Sequence, residues 1–256
     1  MRFVYGINPV LEALRAHPEQ IARVLVERGR DGRRPQRAER VAQAAAQAGV
    51  RIEDAHPGEL DRRASHGVHQ GVGAELADFA YAELPDLIEA AKAASAPPFL
   101  LALDGVTDPQ NLGALARSAH ALGAHGLVLP KDRSAAITPA AAKAAAGALE
   151  HCPVARVTNL SRALEEMKEA GLWIVGLAAE GDRPLQQVDL RTPVALVLGS
   201  EGKGIRPLVR KHCDHLARIE MSGRLASLNV GAAGAIAFYE VARQRRPKVA
   251  SGPPDA

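Results

Sequence analysis

The stretch PVALVLGSEGKGI, Pro193–Ile205, decides the fold. Its first half is apolar without alternation, the pattern of a strand covered on both faces in a parallel sheet. Its second half places three glycines, one acid and one lysine within the eight residues Leu198–Ile205. A loop at the carboxyl end of a buried parallel strand sits where α/β sheets bind ligands. It is not a standard phosphate cradle. A P-loop needs a hydroxyl residue after its lysine and a wider glycine spacing, whereas Gly204 follows Lys203 and Gly199 lies too near it. The dinucleotide fingerprint G-x-G-x-x-G is also unmatched. Two readings stay open: a tight turn in which glycine supplies positive φ, or a ligand loop whose glycines let the backbone approach a bound group.

Working outward, strand and helix patterns alternate from Phe99 onward. FLLALDGV, HGLVLP, VARV, WIVGLAA and LARIEM read as strands, and the segments starting at Asn111, Thr138, Asn159, Ile205 and Ser227 read as helices. That alternation predicts a parallel α/β sheet over 99–246. Residues 1–76 form a smaller alternating unit, with NPVLEALRAH, AERVAQAAAQAG and HPGELDRRAS as helices and IARVLVE and VRIEDA as strands. Between the two, residues 77–98 hold an irregular lead-in, one short helix and a double proline, the composition of a linker. The last residues, 247–256, read as a disordered tail.

At 256 residues the chain can bury a core without staples, and 47% hydrophobic with 24% charged residues is ordinary for a globular protein. Net charge is +3, but Arg28, Arg30, Arg33, Arg34, Arg37 and Arg40 crowd one short stretch. Such a run is either a solvated face or a set of phosphate contacts. Two cysteines, Cys152 and Cys213, argue against a disulfide framework and suit a reducing compartment. The N-terminus lacks a signal-peptide core and no apolar run nears the roughly 20 residues of a membrane span, so a cytoplasmic protein without membrane contact is expected. HCDH, His212–His215, has metal-ligand residue types but no second cluster at matching spacing, so no metal is expected.

Two further elements carry chemistry. In DGVTDPQNLGALAR, Asn111 stands where a helix N-cap would, and Gly113 and Ala114 share a helical face with Arg117. They would leave room for the arginine to reach back towards the helix start; a surface arginine is the plainer reading. In MSGRLASLNVGAAGAIAFYE, Ser227 and Asn229 sit at the turn into the last helix, where the side chains of both are placed to cap it, and its Gly231, Gly234 and Ala235 permit close packing.

Taken in order, NLGALAR, LVLGSEGKGI and MSGRLASLNVGAAGAIAFYE resemble the three motifs of the SpoU/TrmH family, S-adenosylmethionine-dependent RNA ribose 2′-O-methyltransferases of the SPOUT class. YGINPVLEAL, VHQG and LPKDRSA extend the similarity over nearly the whole chain, towards the bacterial 23S rRNA guanosine 2′-O-methyltransferases that modify the peptidyl-transferase loop. The resemblance implies a C-terminal SPOUT domain with a deep trefoil knot, an N-terminal L30e-like RNA-binding domain, and a homodimer with the site at the subunit interface. It implies S-adenosylmethionine held around Leu198, Gly199, Ile219, Met221 and Leu228, with Arg117, Asn111, Glu201, Ser227 and Asn229 as catalytic residues and Glu201 as counter-charge to Arg117 or the sulfonium. The substrate implied is 23S rRNA or a pre-ribosomal particle, with Arg30, Arg33, Arg34 and Arg37 suited to its phosphates. Arginine is a poor base, so an orienting role for Arg117 stands beside the family's proposed proton abstraction. Three positions depart from the family pattern: Glu220 for proline, Ala226 for serine or glutamate, and Gly231 for serine. Methylation of a tRNA or another rRNA site, and a non-catalytic RNA-binding role, are the alternatives.

Overall fold

The computed structural model describes residues 1–29, 33–223 and 227–246. Two sheets organise the chain. The first is four-stranded, in the order β1 (Arg2–Tyr5), β4 (Val72–Leu76), β2 (Ile21–Glu27), β3 (Ile52–Ala55). It is mixed: β4 runs antiparallel to both β1 and β2, while β2 and β3 are parallel. Helices α1 (Ile7–Ala16) and α2 (Gln36–Gln47) bury Val10, Leu14, Val41 and Ala45 against Val4, Val24, Val26 and Ala74. Helix α3 (Pro57–Arg63) buries Leu60 beside Leu25 on the other side.

The second sheet has seven strands, in the order β7 (Val154–Val157), β6 (Gly126–Pro130), β5 (Phe99–Asp104), β10 (Val194–Gly199), β8 (Trp173–Leu177), β11 (His215–Arg218), β9 (Arg183–Pro184). Each of its paired neighbours is parallel, so all carboxyl ends lie on one edge. The unbroken apolar runs follow from two-sided cover. Phe99, Leu101 and Leu103 face the core made with α5 (Pro109–Ala121), α6 (Pro139–Ala145) and α9 (Val230–Arg245). Leu100 and Ala102 face the opposite core, made with α4 (Leu84–Ala93) and α7 (Leu160–Glu169).

Residues 77–98, expected as a linker, therefore include a helix that belongs to a core. Leu84, Leu87, Ile88 and Ala91 of α4 are buried with Leu100, Val128 and Ala155, and Ala82 bridges Ala155 at the sheet's β7 edge. Without α4 one face of β6 would lie open to water. The expected tail, 247–256, lies outside the described residues.

The two sheets meet through α6. Ala142 is buried in the core of the first sheet, and Arg2 forms a bidentate pair with the buried Glu150, at 2.9 and 2.6 Å. Breaking such a pair from one side strands a buried charge and costs about 3–5 kcal/mol.

Candidate active site at the carboxyl edge of the seven-stranded sheet

β10 ends at Gly199, and the chain turns back at once: Ser200 and Gly204 exchange backbone hydrogen bonds of 3.1 and 2.9 Å. A Cβ at Gly199 would collide with the Gly204 carbonyl and the Ile205 nitrogen. Part of the glycine requirement thus comes from the loop's own fold: positive φ falls at Gly202 and Gly204, at 78° and 64°, while Gly199 is needed for the close approach of the returning backbone. The loop's far end is anchored by Asp104, fully buried at the end of β5, which accepts from Arg206 N at 2.7 Å and from its Nε at 2.6 Å.

This loop, the end of β8 and the approach to α9 enclose a cleft of about 810 Å³. All five residues expected to hold the cofactor line it: Leu198, Gly199, Ile219, Met221 and Leu228. Met221 and Leu228 are large apolar side chains left 39% and 38% exposed, so the cleft presents oily surface to solvent. Glu201, Ser227 and Asn229 also line it.

Asn229 settles the polar geometry. Its side-chain oxygen caps α9, accepting from Gly231 N at 2.9 Å and Ala232 N at 3.3 Å. That fixes which end of the amide points into the cleft. Nδ2 then donates to Glu201 Oε1 at 2.6 Å and to Asn111 Oδ1 at 3.1 Å. Asn111 closes the ring, donating from Nδ2 to the same Glu201 oxygen at 3.1 Å. Two amides, from the first and third motifs, hold the carboxylate of the second in place.

Several expectations change here. Asn111 is not the N-cap of α5; Asp108 is, accepting from Gln110 N at 2.9 Å. Proline at the first helical position moves the start forward, and Asn111, in the first turn, is left to bind Glu201. Gly113 opens no room for Arg117, because a Cβ there would strike Ala141 O and Ala144 of α6. Glu201 pairs with two neutral amides and not with Arg117. Arg117 itself is exposed on α5, outside the cleft lining and without a hydrogen-bond or ionic partner among the described residues. Asn229 caps α9 and Ser227 does not.

Sequence reasoning missed one wall. Leu177, Ala178, Ala179 and Glu180, at the end of β8, line the cleft with Arg210, and Glu180 and Arg210 pair across it. The Glu180 backbone N–H and the Arg210 guanidinium hold this carboxyl below its ordinary range. Small residues directly after an apolar strand, as in WIVGLAAEG, were the available signal.

Of the three departures, Glu220 accepts from Gln186 Nε2 at 2.5 Å. A Cβ at Gly231 would meet Asn229 Oδ1 at 3.0 Å, a tight approach to the residue that caps α9, whereas Ala114 and Asn111 Oδ1, at 3.7 and 3.9 Å, stand at ordinary contact distance. Ala226 lies outside the described residues. The HCDH side chains have other partners: His212 with Glu165, Cys213 with Val209 O, Asp214 with Lys168, and His215 stacked on Trp173.

The arginine cluster divides in the same way. Arg28 and Arg34 both bind Asp54, at 2.8 and 3.0 Å, and they draw its carboxyl below the usual range. Arg37 and Arg40 are exposed beside them on α2. Arg33 is exposed too, and Arg30 lies outside the described residues. No helix among the described residues is long and apolar enough to cross a membrane.

Residues 98–239 match the SpoU rRNA Methylase family, and residues 3–82 match the RNA 2′-O ribose methyltransferase substrate-binding family. The chain is 44% identical to the 23S rRNA (guanosine-2′-O-)-methyltransferase RlmB of Pseudomonas aeruginosa, over 95% of this chain and 97% of that one. It is 44% identical to the putative TrmH family tRNA/rRNA methyltransferase YacO of Bacillus subtilis, over 96% of each. The crystal structure of the SpoU methyltransferase AviRb from Streptomyces viridochromogenes, in complex with AdoMet, superposes with a TM-score of 0.77 at 25% identity, covering 95% of this chain and 90% of that one. The protein belongs to the SpoU rRNA methylase family.

Proposed function

We propose that the protein transfers a methyl group from S-adenosylmethionine to the ribose 2′-hydroxyl of a guanosine in the peptidyl-transferase loop of 23S rRNA. The observation that carries this reading is the ring of Asn111, Glu201 and Asn229 beside a half-apolar cleft at the end of a parallel strand. The cleft suits the adenosyl group: Met221, Leu228 and Ile219 offer apolar surface to a base, and the backbone of Leu198–Gly204 offers polar groups to a ribose. When bound, the donor would supply an electrophilic sulfonium methyl: the hydroxyl oxygen's lone pair would form the new carbon–oxygen bond, the carbon–sulfur pair would stay on sulfur, and the hydroxyl proton would pass to water.

The chain's own residues then orient and hold charge. Glu201, fixed by two amides, sets a negative charge at the cleft, and Asn111 and Asn229 keep its carboxylate from rotating away. Arg117 acts as an orienting cation that favours loss of the hydroxyl proton electrostatically, and Ser227 contacts the ribose. Arg33 and Arg37 contact phosphates of the same RNA. Arg117 lies outside its own chain's cleft, which fits a homodimer whose site is completed across the interface. Ala232, Ile236 and Tyr239, an exposed stripe one to two turns apart on α9, suit such an interface. After β10 the chain goes out to β11 beyond β8, then returns as α9 onto α5; we infer that this return threads a loop of the chain and closes a trefoil knot.

The test is a ribose-methylation map of total RNA from cells with and without this protein. A single guanosine of the 23S peptidyl-transferase loop should lose its methyl group. Loss at a tRNA or another rRNA position would refute the site, and an unchanged map together with no S-adenosylmethionine binding by calorimetry would refute the enzyme.

A further inference from the structure

A second polar patch on the same sheet edge is outside the cleft. β6 ends at Pro130, and the loop after it carries Lys131 and Arg133, both exposed. Arg156, on the adjacent strand β7, joins them: it donates to the Lys131 carbonyl at 3.0 Å and lies over the Tyr81 ring at 5.3 Å. Those contacts hold the guanidinium in place and neutralise none of its charge. Among the described residues no carboxylate pairs with Lys131, Arg133 or Arg156, and Asp132 is the one acid in the loop's Lys131–Ser134 segment.

The loop is also held against its local preferences. Arg133 has φ of 56°, a left-handed conformation that a non-glycine residue adopts at a cost. Ser134 Oγ is buried with no hydrogen-bond partner among the described residues. Strain of this kind persists where surrounding structure enforces it, and it clusters at functional sites.

Its position links the patch to the chemistry. Ala135 N donates to Val106 O at 2.8 Å. A Cβ on the neighbouring Gly105 would lie 3.5 Å from Ser200 Cβ, so the two turns are adjacent, and Ser200 precedes Glu201. In the other direction the loop runs into α6, the helix on which the four-stranded sheet docks.

We propose that Lys131, Arg133 and Arg156 form a phosphate track on the catalytic sheet, which holds the RNA strand flanking the target nucleotide. The proposal rests on the reading that the substrate is RNA. Unpaired cations at this edge attract the backbone without reading its sequence; the track positions the strand and leaves base choice to other contacts.

The test uses the full chain and a labelled transcript of the 23S peptidyl-transferase loop, titrated over a range of salt concentrations without cofactor. For Lys131→Gln/Arg133→Gln, the slope of log affinity against log salt should fall by about 1.4–1.8, with affinity down roughly tenfold at moderate salt. S-adenosylmethionine affinity and melting temperature should stay at wild-type values, and Lys131→Arg/Arg133→Lys should keep the wild-type slope. Asp132→Asn, which removes the opposing charge, should bind the transcript about two- to threefold more tightly. An unchanged slope in the glutamine variant, an equal loss in the charge-conserving one, or no gain in Asp132→Asn would each overturn the track. Methylation with unchanged slopes would remove the track and leave the enzyme; altered slopes without methylation would remove the enzyme and leave the track.

Discussion

On the four-stranded sheet, Arg23 lies between Glu53 and Glu75, Arg63 also binds Glu75, and Arg28 and Arg34 share Asp54. At the carboxyl edge of the seven-stranded sheet, Glu201 is bound by two neutral amides, and further along α5, which starts at that edge, Arg117 has no partner among the described residues. Both regions are rich in charge and both pair part of it, Asp104 with Arg206 and Glu180 with Arg210 in the second, but only in the second is a carboxylate of the site, Glu201, held by neutral groups. An arginine already clamped by carboxylates has little field left for a ligand. A carboxylate fixed by amides keeps its full charge, and an unpaired arginine keeps its own. Pairing, more than residue type, separates the structural charges from those available for chemistry.

The contrast breaks most visibly at Arg117. Arg117→Ala should lower the rate of RNA methylation by 10²-fold or more while S-adenosylmethionine affinity, read by calorimetry, changes less than twofold. Full activity would group Arg117 with the solvated surface. Asn229→Ala removes both the cap of α9 and one arm of the ring. It should slow turnover by tens-fold and lower stability by about 1 kcal/mol in a denaturant melt; stability loss without a rate effect would make the ring structural.

Gly199→Ala probes the loop from within. The added methyl would displace the Gly204 backbone, at a cost of about 1–3 kcal/mol, and cofactor affinity should weaken with it. Unchanged melting would mean that the loop opens freely.

The paired region should reveal itself through pH. Hydrogen bonds from Arg23, then Arg63, lower the Glu75 carboxyl from 4.5 to about 2, against an opposing effect of burial. Its folded value lies below its unfolded one, so this contribution to stability is fully present above about 4.5 and is lost as pH falls through about 2. Glu75→Gln should flatten the acid limb of the stability curve over that window, and an unaltered limb would contradict the assignment. The smallest effect is expected at Arg37: Arg37→Ala should reduce the salt slope of RNA binding by about 0.7–0.9, whereas Arg34→Ala should act on stability through Asp54.

Much of the fold is legible in the chain because burial leaves a local signature. Phe99–Asp104 and Val194–Gly199 read as strands since both faces are covered, and α9 begins where Asn229 supplies a cap. The helix start at α5 is ambiguous in the sequence because Asn111 and Asp108 are both good caps, and only hydrogen bonding to Gln110 N tells them apart. The helix within 77–98 is legible, but its place in the core is not, because its short amphipathic run carries no mark of the sheet face it covers.

From the sequence alone came the parallel α/β class, the glycine loop at a strand end, and the motif residues whose resemblance names the chemistry. Those depend on periodicity and spacing, which neighbours along the chain encode. The tertiary structure decided that β10 lies between β5 and β8, so that β8 supplies a wall of the cleft. It also decided that Asn111 reaches Glu201 across 90 residues and Asn229 across 118, and which arginines are already paired. Such contacts follow from strand order and loop closure, which are global properties of the folded chain, so no local pattern records them.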